Sequence, residues 1–186
     1  MENYFKLADD VELLGRWWLA EPFDALGKEI NADSFTVGRV VEVIAPIEIS
    51  LQYEGAPLDF TFGAFEMPVV NSRTLNLLNK LSPSTFESFS ASIKGHGANY
   101  AVVNFLESRK CLDESRSEFI KWKGDDHRAD KTGQYRQVTK LRINPEQAAA
   151  CEIFRLWGWD SAIIVSERIK REFQRENITG VRFLAV

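Results

Sequence analysis

The sequence predicts a single α+β domain over residues 1–186, built on a mixed, largely antiparallel sheet with about three helices. Three observations lead there. Residues 162–186 read as a strand–helix–strand unit, residues 47–62 and 86–106 carry strand-type runs, and residues 72–81 carry a capped helical pattern. In the closing unit, Ile163-Ile164-Val165 is a short apolar run and Ser166 stands at a helix N-cap position. Glu167 opens the helix with the charge its positive end favours. Ile169 and Phe173 fall on one face, opposite Arg168, Lys170, Arg171, Gln174 and Arg175. The helix is expected over 167–176, Asn177 and Gly180 supply its stop, and Val181-Arg182-Phe183-Leu184 resumes a strand. A unit of this length permits a right-handed crossover, so the last strand is expected to pair parallel to 163–165.

Taken in order, Tyr4-Phe5-Lys6-Leu7 reads as an opening strand, followed by an acidic turn at Asp9-Asp10. Gly15-Arg16-Trp17-Trp18-Leu19 is an aromatic cluster between turn residues. Two adjacent Trp on a strand point to opposite faces, so one is expected inside; the sequence leaves open which. Phe35-Thr36-Val37 and residues 40–44 read as extended. The clean alternation of 47–53, the turn Gly55-Ala56-Pro57 and the run 58–62 suggest a hairpin. Pro68 confines 67–70 to a strand start or an edge. Ser72 is the expected cap of the helix through Leu81, with Leu75, Leu77, Leu78 and Leu81 toward the core. Residues 86–93 and 99–106, joined by Lys94-Gly95-His96-Gly97, form the clearest hairpin. Residues 115–121 fit either a helical turn or a strand, and 123–134 form a polar loop without large apolar residues except at its flanks. Strand pattern returns at 135–143, Asn144-Pro145-Glu146 starts a short Ala-rich helix to about Cys151, and 153–157 is extended.

The composition excludes disorder: 45% of residues are apolar and 12% aromatic, enough to fill a core. No basic start with an apolar stretch precedes the fold, and no run approaches the roughly 18 apolar residues of a membrane span. The expectation is a soluble protein with no membrane partner, retained in the cytoplasm where it is made. In that compartment Cys111 and Cys151 are expected to stay reduced, as structural thiols. Neither pairs with His96 or His127 at zinc-ligand spacing, so no metal and no cofactor is expected.

Charge is unevenly spread. Residues 1–70 hold 13 acidic side chains against 4 basic ones, while the remainder is net basic. Such a split can place an acidic face before a basic partner, unless the fold intermixes the two halves. The basic stretch around Lys121, Lys123, Arg128 and Arg136 is interleaved with Asp125, Asp126 and Asp130 in an acidic chain, which argues against nucleic acid as a partner.

Chemistry is sparse. His96 lies in a glycine-flanked turn and His127 in the polar loop. No Gly-x-Ser-x-Gly elbow accompanies them, and Gly95-His96-Gly97 lacks the Lys-Ser/Thr of a phosphate loop. A small hydrolase or transferase using His96 or His127 is the alternative to a binding protein.

Several segments together resemble a bacterial immunity-protein family of polymorphic toxin systems. They are Tyr4-Phe5, Arg16-Trp17, Gly55-Ala56-Pro57-Leu58-Asp59-Phe60, Pro68-Val69-Val70, residues 100–104, Cys111-Leu112-Asp113, Ile153-Phe154-Arg155-Leu156, Ile164-Val165-Ser166-Glu167 and Thr179-Gly180-Val181-Arg182-Phe183. The resemblance implies a non-enzymatic protein that binds and neutralises a cognate toxin domain, usually encoded by an adjacent gene, with no catalytic residue to carry over. Its shared positions look structural: Gly180 for a turn, Ser166 for a cap, Asp59 for holding a loop. Candidate contact residues therefore come from physics alone. The first choice is the acidic, aromatic region of Asp9, Asp10, Glu12, Trp17, Trp18, Glu21 and Asp24. The second is the loop with Asp125, Asp126, His127 and Arg128.

Overall fold

The computed structural model describes residues 3–148 and 151–186. In chain order the first strands are β1 Tyr4–Asp9, β2 Trp18–Phe23, β3 Ile47–Tyr53, β4 Phe60–Phe62, β5 Pro68–Asn71, β6 Phe86–Ile93 and β7 Gly97–Phe105. They are followed by β8 Ser108–Arg109, β9 Glu118–Lys121, β10 Tyr135–Lys140, β11 Ile153–Leu156, β12 Trp159–Ser166 and β13 Val181–Ala185. The helices are α1 Ser72–Leu81, α2 Pro145–Ala148 and α3 Glu167–Arg175. The predicted run of α2 to Cys151 passes through residues 149–150, outside the described residues.

The α+β class holds, and the strands divide among three sheets. One has the order β13-β1-β12-β11-β8, one the order β2-β3-β6-β7-β5-β4, and β9 with β10 makes a two-stranded ribbon. Most pairs are antiparallel; β3 with β6 and β8 with β11 are parallel. Strands buried on both faces stitch the layers together through their period of two. On β12, Ile163 and Val165 face a central core while Ala162 and Ile164 face an outer one. On β7, Ala101, Val103 and Phe105 join the same central core, and Val102 turns to the core on the opposite face. The central core is closed by Leu77, Leu78 and Leu81 of α1 and by Ile169 and Phe173 of α3. Full burial of each such side chain contributes on the order of 1.5–3 kcal/mol.

The hairpin of β6 and β7 forms as expected, pairing Phe86 with Phe105 through to Ile93 with Gly97. Ser166 caps α3, its hydroxyl accepting from the Ile169 amide at 3.3 Å. Residues 118–121 resolve as a strand, paired with β10 across the polar loop.

Other expectations are corrected. β13 does run parallel to β12, but β1 lies between them and pairs antiparallel with both, Tyr4 with Ser166 and Lys6 with Leu184. A local strand–helix–strand reading cannot register a strand from the far end of the chain. β3 and β4 do not form a hairpin. β3 pairs with β2 and β6, and β4 with β5. The intervening segment is drawn instead onto residues 15–17, where the Ala56 amide donates to the Gly15 carbonyl at 2.7 Å and Trp17 donates back to Ala56 at 3.2 Å. Gly55 is required there, since a Cβ would meet the Arg16 carbonyl carbon at 2.3 Å. Residues 32–36 form a 3-10 turn rather than extended chain, because the Asn31 side chain accepts from the Asp33 amide at 3.1 Å and caps it. The cap of α1 is Asn71, one position before the predicted Ser72. Asn71 is still extended at the end of β5, and its side chain accepts from Thr74 at 2.9 Å.

Asp59 ties three segments, as its expected loop-holding role requires. One carboxylate oxygen accepts from the Asn71 amide group at 2.7 Å. The other accepts from the Thr179 amide and hydroxyl, both at 2.9 Å, and from Arg73 at 2.8 Å. Next to it, Gly180 adopts φ +93, and a Cβ there would lie 1.9 Å from the Phe60 carbonyl oxygen.

Candidate functional site

The first candidate region divides in two when its counter-ions are identified. Asp9 ends β1 and Asp10 follows. Arg16, only 4% exposed, reaches both: Nη1 lies 2.8 Å from the Asp9 carboxylate and donates to the Asp10 carbonyl at 3.0 Å. Its other groups bond to Thr61 Oγ1 at 2.8 Å and the Trp17 carbonyl at 3.2 Å, and the guanidinium stacks on the Trp18 ring at 4.3 Å. Arg182, from the basic part of the chain, sits 3.0 Å from Glu12 and 3.8 Å from Asp10. Here the fold intermixes the two halves of the charge split. Beside this ionic knot, a cavity of about 360 Å³ opens between the sheets, lined in part by Lys6, Asp9, Trp18, Phe62 and Glu66.

Of the two tryptophans, Trp17 is the buried one. It is fully enclosed, edge-on to His96 at 5.0 Å and tilted against Tyr100 at 5.4 Å, and it belongs to the core rather than to any contact surface. Trp18 is half-buried under Arg16. Asp24 is also inside, its carboxylate accepting from the amides of Leu26 and Lys28 at 2.9 Å each, which folds residues 24–28 into a turn.

That turn borders a groove of about 420 Å³, formed against residues 41–44 and lined in part by Asp24, Lys28, Glu29, Ile30, Glu42 and Ile44. The turn is held to the other wall by the Ala25 amide, which donates to the Ile44 carbonyl at 3.1 Å. Residues 40–44 alternate: Val41 and Val43 pack on the core below the sheet, and Val40, Glu42 and Ile44 point out. On the adjacent strands, Glu29, Phe23 and Glu48 are cross-strand neighbours, all three exposed. Glu21, Glu29, Glu42 and Glu48 have no ion pair or side-chain hydrogen bond among the described residues. Glu29, Glu42 and Glu48 are not among the contact candidates that the sequence suggests. The alternation of 40–44 was the available signal, but it reads equally well as an ordinary strand.

The polar loop satisfies itself. Asp126 accepts from the Lys123 amide at 2.7 Å, Arg128 forks onto Asp130 at 2.9 and 3.0 Å, and exposed His127 packs edge-on against Trp122 at 5.2 Å. The hydrogen bond from Arg128 holds the Asp130 carboxyl below the usual carboxylate range. Asp125 is exposed. Arg128 also feels the charge of Asp33, which brings this loop within electrostatic reach of the 3-10 turn beside the groove. The two histidines do not form a constellation: each packs on a tryptophan, and neither imidazole has a side-chain hydrogen bond among the described residues. Burial pushes the Cys111 thiol up to about 12, far from an activated nucleophile.

Beneath these surfaces, fully buried Arg155 joins the sheets by donating to the carbonyls of Phe105 at 2.9 Å, Asp160 at 2.8 Å and Phe35 at 2.5 Å. Burial brings its pKa down to about 10.

Residues 43–186 match the model of an immunity protein family, Imm11. The chain belongs to this family. No curated protein matches it significantly in sequence. Asp59, Ser166 and Gly180 lie inside the matched stretch and hold the scaffold. The segments Tyr4-Phe5 and Arg16-Trp17 lie ahead of it, as do β2 and the turn at 24–28.

Proposed function

We propose that this immunity protein binds a cognate toxin domain and neutralises it by occupying its surface, without catalysis. Membership of the immunity family over residues 43–186 is the observation that carries this reading. The chemistry of the chain is consistent with it. A neutralising binder needs a rigid scaffold and a surface shaped to one partner, and the histidines and thiols here serve packing. The toxin is proposed to be encoded by an adjacent gene and to be met in the cytoplasm. Asp9, Asp10, Glu12, Trp18 and Glu21, with Asp125, Asp126, His127 and Arg128 of the polar loop, remain contact candidates because all are exposed or half-buried.

The test is to co-express the tagged chain with the C-terminal domain of the protein encoded next to it. A stable complex and restored growth of cells making that domain are expected. Growth rescue lost in His96→Ala or His127→Ala variants that still fold and still form the complex would favour the hydrolase or transferase alternative and overturn the non-catalytic reading.

A further inference from the structure

We infer that the groove between residues 24–30 and 41–44, with the exposed face of β2 and β3, is the docking surface for a cationic patch on the toxin domain. This rests on the toxin-binding reading above.

The groove has the anatomy of an interface centre rather than of ordinary surface. Leu26 is 78% exposed, Val40 74% and Ile44 54%, and Phe23 stands between Glu29 and Glu48 across the strands. Ile44 lines the groove, and Leu26, Phe23 and Val40 stand on or next to the segments that wall it, which is more than scattered surface hydrophobics. Their backbone is held in place: Asp24 pins one wall through two amides, the Ala25 amide ties it to the other, and Val41 and Val43 anchor the second wall in the core. A wall fixed before binding loses little entropy on docking.

Charge identifies the occupant. At the N-terminal acids the protein supplies its own cations, Arg16 for Asp9 and Arg182 for Asp10 and Glu12. Around the groove it does not. Glu21, Glu29, Glu42 and Glu48 carry no counter-ion among the described residues, and Lys28 is the one cation among the groove's described lining residues. Carboxylates left without cations on an apolar rim attract lysines and arginines of a partner and accelerate the encounter. The position also suits partner choice: β2 and the 24–28 turn lie outside the stretch matched by the family model, whereas the scaffold residues lie within it.

The experiment measures association and dissociation rates between the purified full chain and the neighbouring-gene toxin domain, at low and at raised salt. Three forms are compared: wild type, the triple variant Glu29→Lys/Glu42→Lys/Glu48→Lys, and the double variant Leu26→Asp/Ile44→Asp. All the substituted residues are exposed, so thermal melting is expected to be unchanged. The charge-reversed form is expected to associate roughly 10- to 100-fold more slowly at low salt and to lose most of its salt dependence. The apolar variant is expected to dissociate at least about tenfold faster. A control reversal at Glu146→Lys, outside the groove, is expected to leave both rates unchanged. If wild type binds and both groove variants bind equally well, the surface assignment fails while the toxin-binding reading stands. If wild type does not bind, the reading itself fails and takes the assignment with it. A wild-type dimer dissolved by Leu26→Asp would show a second copy in the groove and would also overturn the assignment.

Discussion

Asp59 offers the sharpest test of how the scaffold is held. Its carboxylate accepts from Asn71, Arg73 and twice from Thr179, so one side chain fixes the end of β5, the start of α1 and the turn into β13. Hydrogen bonds to a charged acceptor contribute about 1.5–3 kcal/mol each when enclosed. Asp59 is 16% exposed and Arg73 50%, so part of this is recovered by water when the carboxylate is removed. Asp59→Ala is therefore expected to lose about 2–4 kcal/mol in total, and Asp59→Asn, which keeps the shape but turns its new amide donor toward the Asn71 donor, about 1.5–3 kcal/mol. For a chain of this size that lowers the melting temperature by roughly 5–15 °C for the alanine variant. The pH dependence is a second readout. Burial pushes the Asp59 carboxyl up, but the hydrogen bonds from Thr179 and Asn71 and the charge of Arg73 outweigh it and hold the group below its ordinary value. A depressed folded-state pKa gives stability that is complete above the unfolded value of about 4 and fades as pH falls through the folded one. Urea unfolding from pH 7 downward should show the gap between wild type and Asp59→Ala constant to about pH 5 and shrinking below pH 4. Variants within about 0.5 kcal/mol of wild type at pH 7, or a gap indifferent to acid, would refute the account.

Two further outcomes follow from packing. Gly180→Ala puts a Cβ 1.9 Å from the Phe60 carbonyl in a left-handed backbone, whereas at Gly124 an added Cβ meets nothing within 4 Å. The first change is expected to cost about 3 kcal/mol or more and the second well under 1, read from melting curves of the purified protein. Burial raises the thiol pKa of both Cys111 and Cys151, so neither should react with a disulfide reagent at pH 8 in the native protein, and both should do so in guanidinium. Rapid native labelling would show that the outer core opens.

The elements legible in the sequence were those specified by neighbours. The Ser166 cap, the Ile169 and Phe173 face and the β6–β7 hairpin all depend on residues a few positions apart. Strand order was not legible, because pairing Tyr4 with Ser166 leaves no trace in either local pattern. The short 3-10 turn at 32–36 was hidden for a related reason: Phe35 looks like strand until Asn31 is seen to cap the turn. At the candidate surface, acidity was visible and neutralisation was not. Arg16 is near in sequence, yet nothing there shows its guanidinium buried on Asp9, and Arg182 arrives from the opposite end of the chain. The carboxylates that keep their field were thus indistinguishable, by sequence alone, from those that lose it.

The insertion of β1 between β12 and β13 sets a clock on the molecule. The ribosome makes β1 first and the two strands on either side of it last, and at about 5–20 residues per second roughly 10–30 s separate them. Throughout that interval Phe5 and Leu7 have no sheet to join, so an incomplete chain cannot rehearse this part of its architecture. The same geometry means that a chain lacking β1 alone would have a slot one strand wide between β12 and β13. An added peptide spanning β1 would have to fill it, which makes the slot a natural place to split this protein into two complementing pieces.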